Sequence, residues 1–255
     1  MKRQLLIRKV IQMVVLVTAC TLPAVCLAEI PQQQDHVPLL IDGETLKFEI
    51  LYGSIPAGHA WLEVKNKTTG DGDIYRITSR ATSNRLVSVF FKVNDTVVSE
   101  VDAATFEPRY FEKRLREGPL RRNEIVTYHG DSARSQGETF HIVPGTRDIL
   151  SALYYIRGRQ LSVGEEIPVK TFENGKSYDA RVRVLRRERV STVRGDLDCL
   201  VVEPIIDQGI FAKAGRLLIW LTDDALRIPV LMKSKVKIGS FVARLVGSSH
   251  SGGSS

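Results

Sequence analysis

The sequence predicts a mainly β fold, an antiparallel meander curled into a roll or half-open barrel with one short helix at about 146–157. Three observations carry this expectation. Apolar and polar residues alternate with period two between about 40 and 246, the mark of strands with one dry and one wet face. Turn signals recur every ten to fifteen residues: "PAG" (56–58), "GDGD" (70–73), "REGP" (116–119), "HGD" (129–131), "ENGK" (173–176) and "RGDLD" (194–198). A single segment, 143–160, breaks the alternation with helical spacing.

In chain order, the first residues read as a targeting segment. Lys2, Arg3, Arg8 and Lys9 precede an apolar stretch from Val10 to about Ala24, and Cys26-Leu27-Ala28 offers small residues at a cleavage site. This is the pattern of a secretory signal peptide cleaved after about Ala28, which predicts a periplasmic protein. Val17-Thr18-Ala19-Cys20 also fits a loose lipobox, so a lipoprotein anchored through Cys20 is the alternative; the apolar character of residues 21–28 speaks against it. A polar leader (29–43), one β-rich domain (44–246) and a Gly/Ser tail (247–255) follow.

Charge and cysteine usage agree with export. The whole chain is +7, but residues 1–28 hold four basic residues and no acidic one; the rest carries 32 basic against 29 acidic residues, or +3. Global charge therefore makes no case for nucleic acid. With Cys20 and Cys26 in the leader, Cys199 remains alone, so no intramolecular disulfide is expected in the mature protein, and Cys199 in "LDCLVVEP" reads as a small buried apolar residue.

Within the domain, "DIYRITSRAT" sets Tyr75, Ile77, Ser79 and Ala81 against Arg76, Thr78, Arg80 and Thr82. Strands gather in a first group (about 44–142) and a second (about 165–246), separated by the helix. Ile149, Leu150, Leu153, Tyr154 and Ile156 form its apolar face, with Thr146 read as N-cap, Asp148 in the first turn, Arg157 in the last and Gly158 as the stop. The helix is expected to plug or pack on the sheet.

Chemistry is scarce. No GxSxG, HExxH, CxxC, Walker-type loop or GxGxxG occurs, and His36, His59, His129 and His141 show no ligand spacing. The expectation is a non-enzymatic protein without metal or cofactor. Asp223 and Asp224 lie between the strand-like runs 217–221 and 228–232; adjacent strand residues point to opposite faces, so the pair reads as a hairpin turn, with Arg227 placed to neutralise one of them. The strand before it is apolar on both sides. Leu217, Ile219 and Leu221 share one face, Leu218 and Trp220 the other. Either it is sandwiched, or the second face lines a cavity, which makes Leu218 and Trp220 candidate ligand-binding residues. Two basic stretches, 109–122 and 181–190, read as solvated strand faces or, brought together, as a head-group site in which Arg114, Arg116 and Arg183 hold an anionic lipid, lipopolysaccharide or anionic glycan.

Three segments, "LKFEILYGSIPAGHAWLEV" (46–64), "DILSALYYIRG" (148–158) and "GRLLIWLTDDALRIPVLMKSKVKIGSFVARL" (215–245), resemble the bacterial family catalogued as domain of unknown function 3108, over nearly the whole mature chain. The resemblance implies exported Gram-negative proteins with a mostly β fold and supplies no activity or catalytic residues. A looser likeness, an "IW" strand end, a polar turn and a strand opening with proline, runs to periplasmic lipoprotein carriers, whose open half-barrel holds acyl chains. The expected function is binding or handling a hydrophobic or amphipathic envelope component; the alternative is a structural or adaptor protein that binds an envelope protein partner through a sheet edge.

Overall fold

The computed structural model describes residues 40–70, 72–193, 195–206, 216–236 and 239–250. The expected signal segment (1–28), most of the expected polar leader and residues 251–255 lie outside the described residues. Eight strands precede the plug helix: β1 (Thr45–Tyr52), β2 (Ile55–Thr69), β3 (Gly72–Ser83), β4 (Asn94–Asp102), β5 (Pro108–Glu117), β6 (Leu120–His129), β7 (Ser132–Ser135) and β8 (Glu138–His141), with a short helix α1 (Arg85–Phe90) between β3 and β4. The plug helix α2 spans Ile149–Arg157. Six strands follow: β9 (Glu166–Glu173), β10 (Lys176–Thr192), β11 (Gly195–Ile206), β12 (Arg216–Thr222), β13 (Pro229–Val236) and β14 (Gly239–Ser249).

All fourteen strands form one antiparallel sheet in the order β8-β7-β6-β5-β4-β3-β2-β1-β14-β13-β12-β11-β10-β9. Each half is a meander, as the turn signals predict, and the pairing of β1 with β14 joins the halves. That pairing carries the domain past its expected limit, because Gly247, Ser248 and Ser249 of the supposed tail pair with Lys47, Leu46 and Thr45. Alternation decides which face is dry. Leu46, Phe48, Ala60, Leu62, Val64, Ile77, Ala81, Val97, Val101, Phe111 and Val126 are all buried in one cluster, the concave side of the roll.

The roll closes through side chains, since the edge strands β8 and β9 have no ladder to each other. The Phe140 ring of β8 stands 5.4 Å from Phe172 of β9, and Tyr128 of β6 meets Phe172 edge-on. The free edge of β9 is covered by Arg147, whose N–H donates to Lys170 O (2.8 Å) and whose carbonyl accepts from Phe172 N (3.1 Å). Gly58 is required by close approach within the sheet: a Cβ there would lie 2.1 Å from Thr82 O. The "PAG" signal is thus a packing feature inside β2, and the turn sits one step earlier, at Gly53 and Ser54.

Two expectations about helices need correction. The N-cap of α2 is Asp148, not Thr146. The helix start is buried, so its open N–H groups need a strong acceptor; Asp148 Oδ1 accepts from Leu150 N (2.8 Å) and Ser151 N (3.1 Å), while Thr146 Oγ1 donates to Val143 O in the preceding turn. The single expected helix also has a companion. The segment "RLVSVF" is apolar enough to read as strand, yet Asn84 caps it by accepting from Val87 N (2.9 Å), and it forms α1.

Candidate functional site

Helix α2 enters the concave face without filling it. Between Ile149, Leu153 and Ile156 of the helix and the strands around them lies a cavity of about 120 Å³, partly open to solvent. Phe48, Leu62, Val182, Leu217, Ile219, Leu221 and Met232 form much of its wall. Space remains because alanine stands at four lining positions: Ala60, Ala152, Ala180 and Ala243. Polar side chains in the lining are few, chiefly Ser79, Thr171 and Arg181. An apolar cavity of about 150 Å³ stays dry and accepts a benzene-sized guest. This one is of the same order and suits a slender aliphatic group, each buried CH₂ of which is worth about 0.8 kcal/mol. Acid–base chemistry needs convergent polar groups, and the wall does not supply them.

The cavity lies on the opposite side of β12 from the one expected. Leu217, Ile219 and Leu221 line it, whereas Leu218 and Trp220 point to the convex face. Trp220 is buried there in a cluster with Cys199, Val201 and Leu231, with Leu185, Val190 and Leu197 packed against the same cluster. The cause is the long β10–β11 hairpin. A bulge between Val184 and Arg186 kinks it, and its far end turns over the outside of β13 and β14. An open groove of about 480 Å³ separates the two; Lys233, in its wall, stands 5.0 Å over the Trp220 ring. Two apolar faces on one strand thus mark a strand covered on both sides, and only the three-dimensional fold shows which side leaves space.

The candidate arginines do not converge. Arg114 pairs with Glu112 of its own strand at 2.8 Å, and Arg183 pairs with Glu166 of β9 at 2.6 Å. Arg116 is exposed, its backbone N–H bound to Asp95. All three alternate with buried residues and face outward, away from the cavity; Arg181, on the same strand face as Arg183 and 3.4 Å from the same Glu166, is the basic residue that borders it.

The family-like motifs prove to be fasteners. Arg157 grips Glu44 with two hydrogen bonds (2.8 and 2.6 Å), and Tyr154 OH donates to the same carboxylate (2.7 Å). Asp148 Oδ2 accepts from Ser99 Oγ on β4 (2.6 Å). Between them these bonds tie both ends of α2 to the sheet. In the Asp-Asp hairpin, Asp224 Oδ1 accepts from Thr222 Oγ1, Leu226 N and Arg227 N (2.8–3.0 Å), the geometry of a side-chain-stabilised turn. Asp223 pairs with Arg187 at 2.6 Å rather than with Arg227, whose backbone has φ 43°. Cys199 is buried, and desolvation pushes its thiol up to about 11, which keeps it protonated and inert.

One feature has no local sequence signature. Lys113, fully buried, lies 2.9 Å from Glu124 of β6 and also pairs with Glu173 of β9. Asp95 and Glu117 are buried nearby on β4 and β5. Burial pushes the Glu173 carboxyl up to about 7 despite the opposing Lys113, and burial likewise raises Asp95 to about 6. None of these groups lines the apolar cavity. Lys113, Glu124 and Glu173 clamp β5 and β6 to β9, where the sheet lacks a ladder, while Asp95 accepts from Arg116 N within the first half. Their signal in the sequence, charged residues at positions where alternation calls for apolar ones, is visible only once the register is known.

Fold and cavity together define a class: an incomplete antiparallel β-barrel, plugged by one helix, around an apolar space. The chain belongs to the family described as "Protein of unknown function (DUF3108)", whose model matches residues 47–246. Among solved structures, the β-barrel-like protein of domain of unknown function DUF1849 from Brucella abortus overlays 84% of this chain and 99% of its own, with TM-score 0.56 and 9% identity. At that identity the likeness shows the fold alone. A "putative lipoprotein" from Parabacteroides distasonis gives TM-score 0.37 at 11% identity over 86% of this chain and 100% of its own. No curated protein sequence matches the chain.

Proposed function

We propose that the chain is an exported, non-enzymatic binding protein that takes the aliphatic part of a hydrophobic or amphipathic envelope component into the barrel. The cavity between α2 and β12 is the observation that carries this reading: it is apolar, partly open, and left unfilled because four of its lining positions carry only an alanine methyl. The polar part of the ligand stays outside. Arg181 borders the cavity and lies 3.4 Å from Glu166, so an anionic head group would share that arginine with the carboxylate. Organic extraction of protein purified from the envelope fraction, followed by mass spectrometry, tests the proposal. A stoichiometric acyl-bearing molecule supports it, and its head group separates a phospholipid from a lipopolysaccharide fragment or another glycan. Clean protein that also fails to bind a fatty-acid probe rejects it.

The adaptor reading keeps one observation of its own. The convex groove between the β10–β11 hairpin and β13–β14 mixes Val190, Val193 and Leu231 with Glu188, Arg189, Lys233 and Arg244, a composition that suits a protein segment. The sheet edges suit it less, because β8 is four residues long and β9 is covered by Arg147. A partner whose capture is lost in Lys233→Glu, with the cavity variants unaffected, would favour this second reading.

A further inference from the structure

The three most exposed large apolar side chains among the described residues share one rim of the roll, and Ile55 lies beside them. Leu86, Val89 and Phe90 are 79%, 77% and 89% exposed, and Ile55 is 62% exposed. The first three fall at i, i+3 and i+4 of α1 and therefore share one helix face. Ile55 opens β2 beside them, for Asn84, the α1 cap, donates its side-chain amide to Pro56 O (2.7 Å) and its N–H to Ala57 O (2.9 Å). Scattered exposed apolar residues are ordinary, but four gathered on one protrusion are not. The helix is also held rigidly. Phe91 behind it is buried and covers Gly118, where a Cβ would stand 2.6 Å from the ring.

Charge around the patch has one sign. Arg85, Lys92, Arg116 and Arg121 are exposed, and Gly118 N donates to Lys92 O, so the β5–β6 turn adjoins α1. In segments 83–94 and 116–122 Glu117 is the sole acidic residue, and it is fully buried. Arg85, Lys92 and Arg116 form no ion pair among the described residues. The antiparallel register puts the β1–β2 turn, α1 and the β5–β6 turn at the same end of the sheet as the cavity-lining Leu217 and Pro204, whereas Pro229 lines the cavity from the other end.

We propose that this rim docks the protein onto an anionic lipid surface, with Ile55, Leu86, Val89 and Phe90 seated among the acyl chains and Arg85, Lys92, Arg116 and Arg121 against the head groups. A small apolar wedge ringed by cations is the chemistry of interfacial membrane binding. A protein partner would have to supply both a pocket and matching carboxylates. No helix among the described residues is long and apolar enough to cross a membrane, so this contact is superficial. It goes beyond the cavity reading, since docking places the barrel rim against the source of an amphipathic ligand, yet it does not depend on the cavity being filled.

Co-sedimentation of the protein with vesicles tests it. Binding to phosphatidylcholine vesicles containing phosphatidylglycerol is expected, with much weaker binding to phosphatidylcholine alone. The triple variant Leu86→Ser, Val89→Ser, Phe90→Ser lowers the partition to anionic vesicles about tenfold or more, and Phe90→Ser alone gives part of that loss. Arg85→Gln with Lys92→Gln weakens binding to anionic vesicles about tenfold and leaves the neutral ones unchanged. All three variants keep the wild-type urea midpoint, since the altered side chains are exposed. Ala243→Leu, in the cavity wall, leaves vesicle binding intact, so failure of the cavity reading and failure of the docking face are seen separately. No vesicle binding by the wild type, equal binding by the triple variant, or a solution dimer that the triple variant dissolves without any vesicle binding would overturn the proposal.

Discussion

Glu44 and Arg157 are 113 residues apart in sequence and share one buried, bidentate ion pair. Removing one partner strands the other in a low-dielectric interior. Arg157→Met is therefore expected to cost about 3–5 kcal/mol, measured as a shift in urea midpoint. Arg187→Ala, which frees the partly exposed Asp223 in a surface pair, is expected to cost no more than about 1 kcal/mol. The Asp223–Asp224 turn was legible because its bonding is local: Asp224 serves groups within three residues. The Glu44 grip and the Lys113 cluster were not, because no local pattern says which distant strand a buried charge will meet.

At the scale of elements, the alternation that predicts strands and the spacing that predicts α2 both stood, since each reports burial of a single face. α1 and the cavity face of β12 were missed for related reasons. Short apolar runs such as "RLVSVF" lack enough periods to separate helix from strand, and β12 is apolar on both faces. Trp220→Gln now becomes a test of packing. The side chain is buried on the convex side, and the substitution is expected to destabilise by about 3–5 kcal/mol while the folded fraction binds a fatty-acid probe with unchanged affinity. A selective loss of binding without destabilisation would return Trp220 to the ligand site. Asn84→Ala should cost about 0.5–2 kcal/mol through the lost α1 cap, and circular dichroism melts with urea titrations can read it.

For the molecule as a whole, the clamp between its two sheet halves titrates in the range of ordinary buffers. Glu173, in the clamp, and Asp95, buried on β4 against β5, have folded-state values of about 7 and about 6, above their usual 4.5 and 3.8. Between the usual and the raised values the folded protein holds protons that the unfolded chain has released. Stability is accordingly greatest near the acid end of that window and declines as pH rises toward about 7, at up to roughly 1.4 kcal/mol per pH unit for each group. Below about pH 4 the trend reverses, because exposed carboxylates such as Asp102, held low by the N–H of Thr105, lose their partners on protonation. Urea midpoints should be higher at pH 5 than at pH 8, and Glu173→Gln should flatten the slope. A midpoint that rises across the same interval would show that the clamp does not titrate as its burial implies.

The central claim is that the space between α2 and β12 holds an aliphatic chain, and filling that space tests it most directly. Ala180→Leu and Ala243→Leu place branched side chains into the cavity from β10 and β14. A fluorescent fatty acid titrated into the wild type is expected to bind saturably with one site. The double variant should lose that binding by at least tenfold, while its unfolding free energy from urea titration stays within about 1–3 kcal/mol of wild type, the range for added core methylenes. Saturable binding that survives in a folded double variant, or no saturable binding by the wild type, would contradict the account.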